Sequence, residues 1–263
     1  MEQEDLELEP PSGVDVARRA AILKYQIVQV ATTPPRELVE QLSAEWSEND
    51  RREFTTALEA NRRELVDALR SSGLWEDTSP SERAIFECPA LQLTERQVID
   101  TSWRAESLGC LAWALGLLDQ LPAYDTQINP ERLLPLIPVD DIGAFIRGAR
   151  LREASEIERA RDIAELWHWR SRTRELEEMG YTPPAGQPKL AEILRDLVPL
   201  AASDGMIPAP IGGDFPVLGR AYRDLSPEEW GSVQSIAMER HFALNWLCGY
   251  APDNEWDETP TDT

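Results

Sequence analysis

The chain has 263 residues, 42% of them hydrophobic, enough to bury one sizeable core, and it carries 48 acidic against 26 basic side chains for a formal charge of −22. That balance repels phosphate and so excludes nucleic acid and anionic membranes as partners held by a general basic patch. Cys88, Cys110 and Cys248 share no metal-type spacing, which implies reduced thiols and a cytoplasmic protein; the acidic N-terminus has no apolar h-region for export.

The acids are unevenly placed. Glu2, Glu4, Asp5, Glu7 and Glu9 fall within 1–13, and Asp253, Glu255, Asp257, Glu258 and Asp262 within 250–263, with no base in either segment. The first reads as an acidic disordered tail closed by Pro10, Pro11 and Gly13. The second reads as an acidic tail in which Trp256 either anchors a fold-back onto the last helix or stays solvated. Between them, 14–249 reads as one helical domain.

Over 14–31, Ala17, Ala20, Ala21, Ile27, Val28 and Ala31 recur at helical spacing, and Thr32-Thr33-Pro34-Pro35 ends the run. Helices follow near 35–46 and 49–71. The second is highly charged, with only Phe54, Leu58, Leu65 and Leu69 as an apolar stripe, which places it on the surface. Ser79-Pro80 opens a short helix with proline at N1. Thr94 and Gln97 then form a capping box, with Leu93 and Val98 at staple positions, and start a helix running to about 118. Leu108, Leu111, Ala112 and Leu115 line one side of it; Ile99, Trp103, Cys110, Trp113 and Leu117 cover the opposite side. A helix apolar on both sides is internal, and the uncharged run from Ser107 to Leu118 is too short to cross a bilayer.

Beyond Asp119 the chain turns irregular through Pro122, Pro130, Pro135 and Pro138, with Asn129-Pro130 capping a turn of helix. A short helix near 139–148 precedes a long one over 152–178 carrying Ile157, Ile163, Leu166, Trp167, Trp169 and Leu176. A Pro/Gly linker over 180–188 leads to a helix from Lys189 to Ser203, broken or ended near Pro199. Residues 203–219 are too irregular for helix and read as a lid or binding loop, or as a packed connector. Ser226, Pro227 and Glu229 start a last helix that runs to about Cys248 and ends at Gly249. No stretch alternates as a strand should. The expected fold is all-α: a single irregular multi-helix domain around the central helix, packed on the C-terminal helix over about 226–248.

Trp103-Arg104-Ala105-Glu106-Ser107-Leu108-Gly109 with the Leu-Ala-Trp-Ala-Leu-Gly-Leu-Leu-Asp run after it, Trp167-His168-Trp169-Arg170, Glu239-Arg240-His241 through Asn245-Trp246-Leu247, and Trp256-Asp257 through Asp262 carry a resemblance. Together they resemble the bacterial family catalogued as domain of unknown function 4272. The resemblance implies relatives without implying a reaction.

Arg104 and Glu106 lie about 160° apart on the central helix and cannot pair with each other. Glu239 and Arg240 occupy similar core-facing positions on the last helix, so the helices should pair Arg104 with Glu239, Glu106 with Arg240, or both. Such a group either fixes helix register as a buried ion network or holds a carboxylate or phosphate ligand with a glutamate as acid or base. His241 and Asn245 lie one turn apart beside it and could line a cleft. His168 is the other histidine, and two histidines without further ligands make no metal site, so neither metal nor cofactor is expected. No phosphate loop, nucleophile elbow or triad is present. The chain is therefore expected to be a binding or accessory protein whose acidic surface meets a basic protein partner. The alternative is a small-molecule-binding domain or enzyme with a polar pocket between the central and C-terminal helices; the oligomeric state is left open.

Overall fold

Most helix starts are specified by residues within one turn of them. Ser12, Ser47, Ser79, Thr94 and Ser226 each accept a hydrogen bond from the N3 backbone N–H, while Asp15, Asp50, Glu82, Gln97 and Glu229 reach back to the N-cap. These boxes open α1 (Gly13–Thr32), α3 (Glu48–Ser71), α4 (Pro80–Glu87), α5 (Glu95–Ala114) and α10 (Pro227–Leu247). The remaining helices are α2 (Arg36–Leu42), α6 (Pro130–Leu133), α7 (Ile142–Gly148), α8 (Ala154–Glu178) and α9 (Leu190–Ser203). The computed structural model describes residues 9–262, and they form an all-α domain.

The core is built by α10 packing on both α8 and α5, and by α1 packing on α5. Every residue of α5 from Ala105 to Ala114 is buried, whereas Ile99 is 47% exposed, so the two-sided apolar pattern encloses only the C-terminal half. Gly109 is required there: a Cβ would lie 2.0 Å from Ile128 Cδ1, which seats the 122–128 segment against the helix. The charged α3 contributes only Val66 and Leu69 as buried residues.

Four expectations are corrected. α5 ends at Ala114 and not near 118, because Leu117 N–H turns back to Ala112 O (2.8 Å) and Gly116 N–H to Trp113 O (2.9 Å). The Arg152 guanidinium donates to Trp113 O at 2.7 Å and Leu118 O at 2.8 Å, placing a cation on that end. α9 continues through Pro199, whose exposed position leaves the freed Arg195 carbonyl open to water. Residues 203–219 include strand after all: β1 (Pro216–Val217) pairs antiparallel with β2 (Arg220–Ala221), and two residues per strand are too few for alternation to register. Phe215 and Tyr222 at this hairpin are fully buried, in a second apolar cluster with Trp167, Val198 and Val233.

The fourth correction concerns the N-terminal segment. Residues 1–8 of the expected disordered tail lie outside the described residues, but the part that is described is packed. Pro11 is buried, and the Glu9–Pro10 backbone lies so close to Gly249 that a Cβ there would be 2.7 Å from the Glu9 carbonyl carbon. Gly249 also takes φ 80°, closing α10 through Tyr250 N–H to Asn245 O at 3.1 Å. Toward the C-terminus, Trp256 is 1% exposed, edge-on to Phe242 (4.7 Å) and Trp246 (5.2 Å) with the Arg19 guanidinium 5.3 Å over its ring. Its neighbour Asp257 accepts from Ser79 Oγ and from the Ser81 N–H and Oγ, stapling the tail to the start of α4. No helix among the described residues is long and apolar enough to cross a membrane.

Candidate functional site

Both cross-helix pairs form. Arg240 Nε donates to Glu106 Oε2 at 2.8 Å with both side chains 0% exposed, and Arg104 Nη1 lies 3.3 Å from Glu239 Oε2. The first pair is saturated. Arg240 also donates to Pro122 O (2.6 Å) and Thr126 O (3.0 Å), while Glu106 Oε1 accepts from Ile128 N–H (2.7 Å). The pair therefore pins the 122–128 loop onto two helices at once. Burial pushes the Glu106 carboxyl above its usual range, and the adjacent Arg240 charge offsets only part of that rise. In the second pair Ser107 Oγ donates to Glu239 Oε2 at 2.6 Å, and the Arg104 guanidinium sits 4.6 Å over the Phe242 ring. Arg104 and Glu239 border an open groove shared with α4.

The two histidines meet one layer away. His168 Nδ1 and His241 Nδ1 are 3.0 Å apart, and His241 Nε2 is 3.0 Å from Asn245 Nδ2. The proton positions follow from the neighbours. Arg161 Nε donates to Asn245 Oδ1 at 2.8 Å, which fixes the amide so that its NH2 faces His241 Nε2 and Pro260 O. His241 then accepts at Nε2, carries its proton on Nδ1 and donates to His168 Nδ1. Burial lowers His168 to about 4, assisted by Arg172, and lowers His241 to about 3, assisted by His168 and Arg161. Both are neutral at pH 7. Glu106 and Glu239 are engaged elsewhere, and no group of three or more His, Cys, Asp or Glu among the described residues could hold a metal.

A third charged pair escapes inspection of the sequence. Arg170, 1% exposed, donates through Nε and Nη2 to the two Asp214 oxygens, each at 2.7 Å. Asp214 also accepts from the Phe215 and Arg223 N–H groups; burial raises its carboxyl, but the Arg170 bonds and charge outweigh burial and hold it below its usual value. Arg174 donates to the Tyr222 and Leu225 carbonyls, so α8 grips the hairpin through two guanidiniums. The cue for Arg170 is its place beside Trp167, which stacks on Tyr124 at 4.9 Å. Nothing local points to Asp214, which lies in an irregular Gly-Gly-Asp-Phe loop.

The family model described as Domain of unknown function (DUF4272) matches residues 2–186. No curated protein and no solved structure matches the chain. The matched span holds the Trp103–Asp119 and Trp167–Arg170 blocks, and it stops before α9, the hairpin and α10. Because that span is more than half of the sequence, the chain belongs to the DUF4272 family.

Proposed function

We propose that this chain is a cytoplasmic binding or accessory protein that meets a basic protein partner through its acidic surface. The observation that carries this reading is the charge balance of the interior. Among the described residues the buried charged side chains are Arg19, Arg170, Arg174 and Arg240 against Glu82, Glu106, Asp214 and Glu239, as many cations as anions. The negative surplus of the described residues therefore lies outside the core, where it steers a cationic protein toward the surface. The start of α8, where Glu153, Glu156, Glu158 and Asp162 are exposed around Arg159, is one such acidic stretch. The saturated Glu106–Arg240 pair offers an incoming ligand no free acid, base or donor, which speaks against chemistry at that pair.

The test is capture from native lysate on the immobilised full chain at about 50 mM and about 500 mM salt. A basic polypeptide should be retained at low salt and released at high salt, and a chain carrying Glu153→Lys, Glu156→Lys, Glu158→Lys and Asp162→Lys should retain less of it. The absence of any salt-sensitive polypeptide would sink the proposal.

A further inference from the structure

A cavity of about 710 Å³ opens between the end of α8, one face of α9 and the 210–214 loop, well apart from the acidic start of α8. That volume suits a small organic ligand. Its two walls differ in kind. One is apolar and comes from Leu194, Val198, Pro199 and Pro210; the other carries Arg170 and Arg223 against Glu177 and Asp214, with Arg195 already paired with Asp196 (Nε to Oδ1 2.9 Å).

Hydrogen-bond accounting shows which of these charges is spent. Asp214 takes both of its oxygens to Arg170 and accepts two backbone N–H groups besides, so its charge is fully used. Arg170 is not fully used. Its Nη1, on the side of the guanidinium away from Asp214, is buried and has no hydrogen-bond partner. The nearest acid, Glu177 Oε2, stands 3.7 Å away, beyond hydrogen-bond reach, on a partly exposed side chain that itself lines the cavity. An orphaned guanidinium donor inside a protein is costly and rare. Arg223 adds a half-exposed second cation at the mouth, anchored by its donation to Gly212 O at 2.7 Å.

We infer that this cavity binds a small monocarboxylate with an apolar body, its carboxylate on Arg170 Nη1 and Arg223 and its hydrocarbon along Leu194, Val198 and Pro199. A planar carboxylate suits two guanidinium donors and adds a single charge beside Glu177 and Asp214, whereas a phosphate dianion would bring two against the same acids. The apolar wall supplies affinity without charge.

The experiment titrates the full chain with octanoate and with octanol, reading binding by calorimetry and by ligand-observed NMR. Octanoate should bind at one site at least about tenfold more tightly than octanol, the discrimination expected of a charge-assisted hydrogen bond. Glu177→Gln removes the competing carboxylate and should tighten octanoate binding; Arg223→Gln should weaken it. Ala191→Trp, at an exposed position lining the cavity, should abolish binding with an unchanged melting temperature. Arg170 itself is left intact, since breaking its pair with Asp214 would unfold the hairpin. Equal binding of octanol, no binding of either compound, or octanoate binding that survives Ala191→Trp would overturn the assignment.

Discussion

Lowering the pH from 7 to 5 tests the buried histidine pair with few other groups in play. Both imidazoles are held neutral, His168 at about 4 and His241 at about 3, while in the unfolded chain each returns to 6.5. Between those values the unfolded state binds more protons than the folded one, so stability must fall as pH falls, beginning near 6.5 and continuing down to the folded values. Each pKa unit is worth about 1.4 kcal/mol, so the drop from 6.5 to 5 costs about 2 kcal/mol per histidine and about 4 kcal/mol for the pair. The geometry explains why the folded state cannot escape by accepting a proton. A proton added to His168 Nδ1 would confront the one on His241 Nδ1, and His241 cannot move its own to Nε2 without facing the Asn245 amide, which Arg161 keeps from flipping. Urea unfolding of the wild-type chain at pH 7, 6 and 5 measures the loss. The double variant His168→Gln/His241→Gln, measured alongside, subtracts every other titration, including the relief of surface repulsion. A wild-type pH dependence no steeper than that of the double variant would refute the reasoning.

Three further outcomes are open to equilibrium unfolding. Glu106→Gln leaves the Arg240 cation buried without its counter-ion and should cost about 3–5 kcal/mol, whereas Glu106→Leu/Arg240→Met should cost less than the sum of its single changes, as read by a double-mutant cycle. Trp256→Ala should cost about 3–5 kcal/mol, and removal of 250–263 should lower the melting temperature; an unchanged melt would mean the fold-back of the tail contributes nothing. Gly249→Ala should destabilise by more than about 1 kcal/mol, since it meets both a positive φ and the Glu9–Pro10 backbone, and a neutral effect would argue that the N-terminal segment does not sit there.

What could be read in the sequence was what is decided within a turn or two of chain. The capping residues Thr94 and Gln97, or Ser226 and Glu229, fix a helix start by contacts three residues apart, so the pattern and the structure agree. The charges of Arg104, Glu106, Glu239 and Arg240 were conspicuous because they interrupt apolar faces, and helices that bury such groups must pair them. Selection between the possible pairings depended on how α5 and α10 are set against each other. Arg170 falls in the same class, yet its partner comes from a loop whose path no periodicity describes. Pro199 misled because a proline breaks a helix only where the lost bond cannot be replaced by water. The Leu115–Leu118 stretch misled because hydrophobicity persists past the point where the backbone turns at Gly116.

The family match, 2–186, ends between the two halves of the buried pairs. A polypeptide cut at its boundary would retain Glu106, Arg104 and His168 but discard Arg240, Glu239 and His241, stranding an acid, a base and an imidazole on a large greasy scar where α10 had lain. The last third of the chain thus supplies the partners that cover this face and neutralise its buried charges.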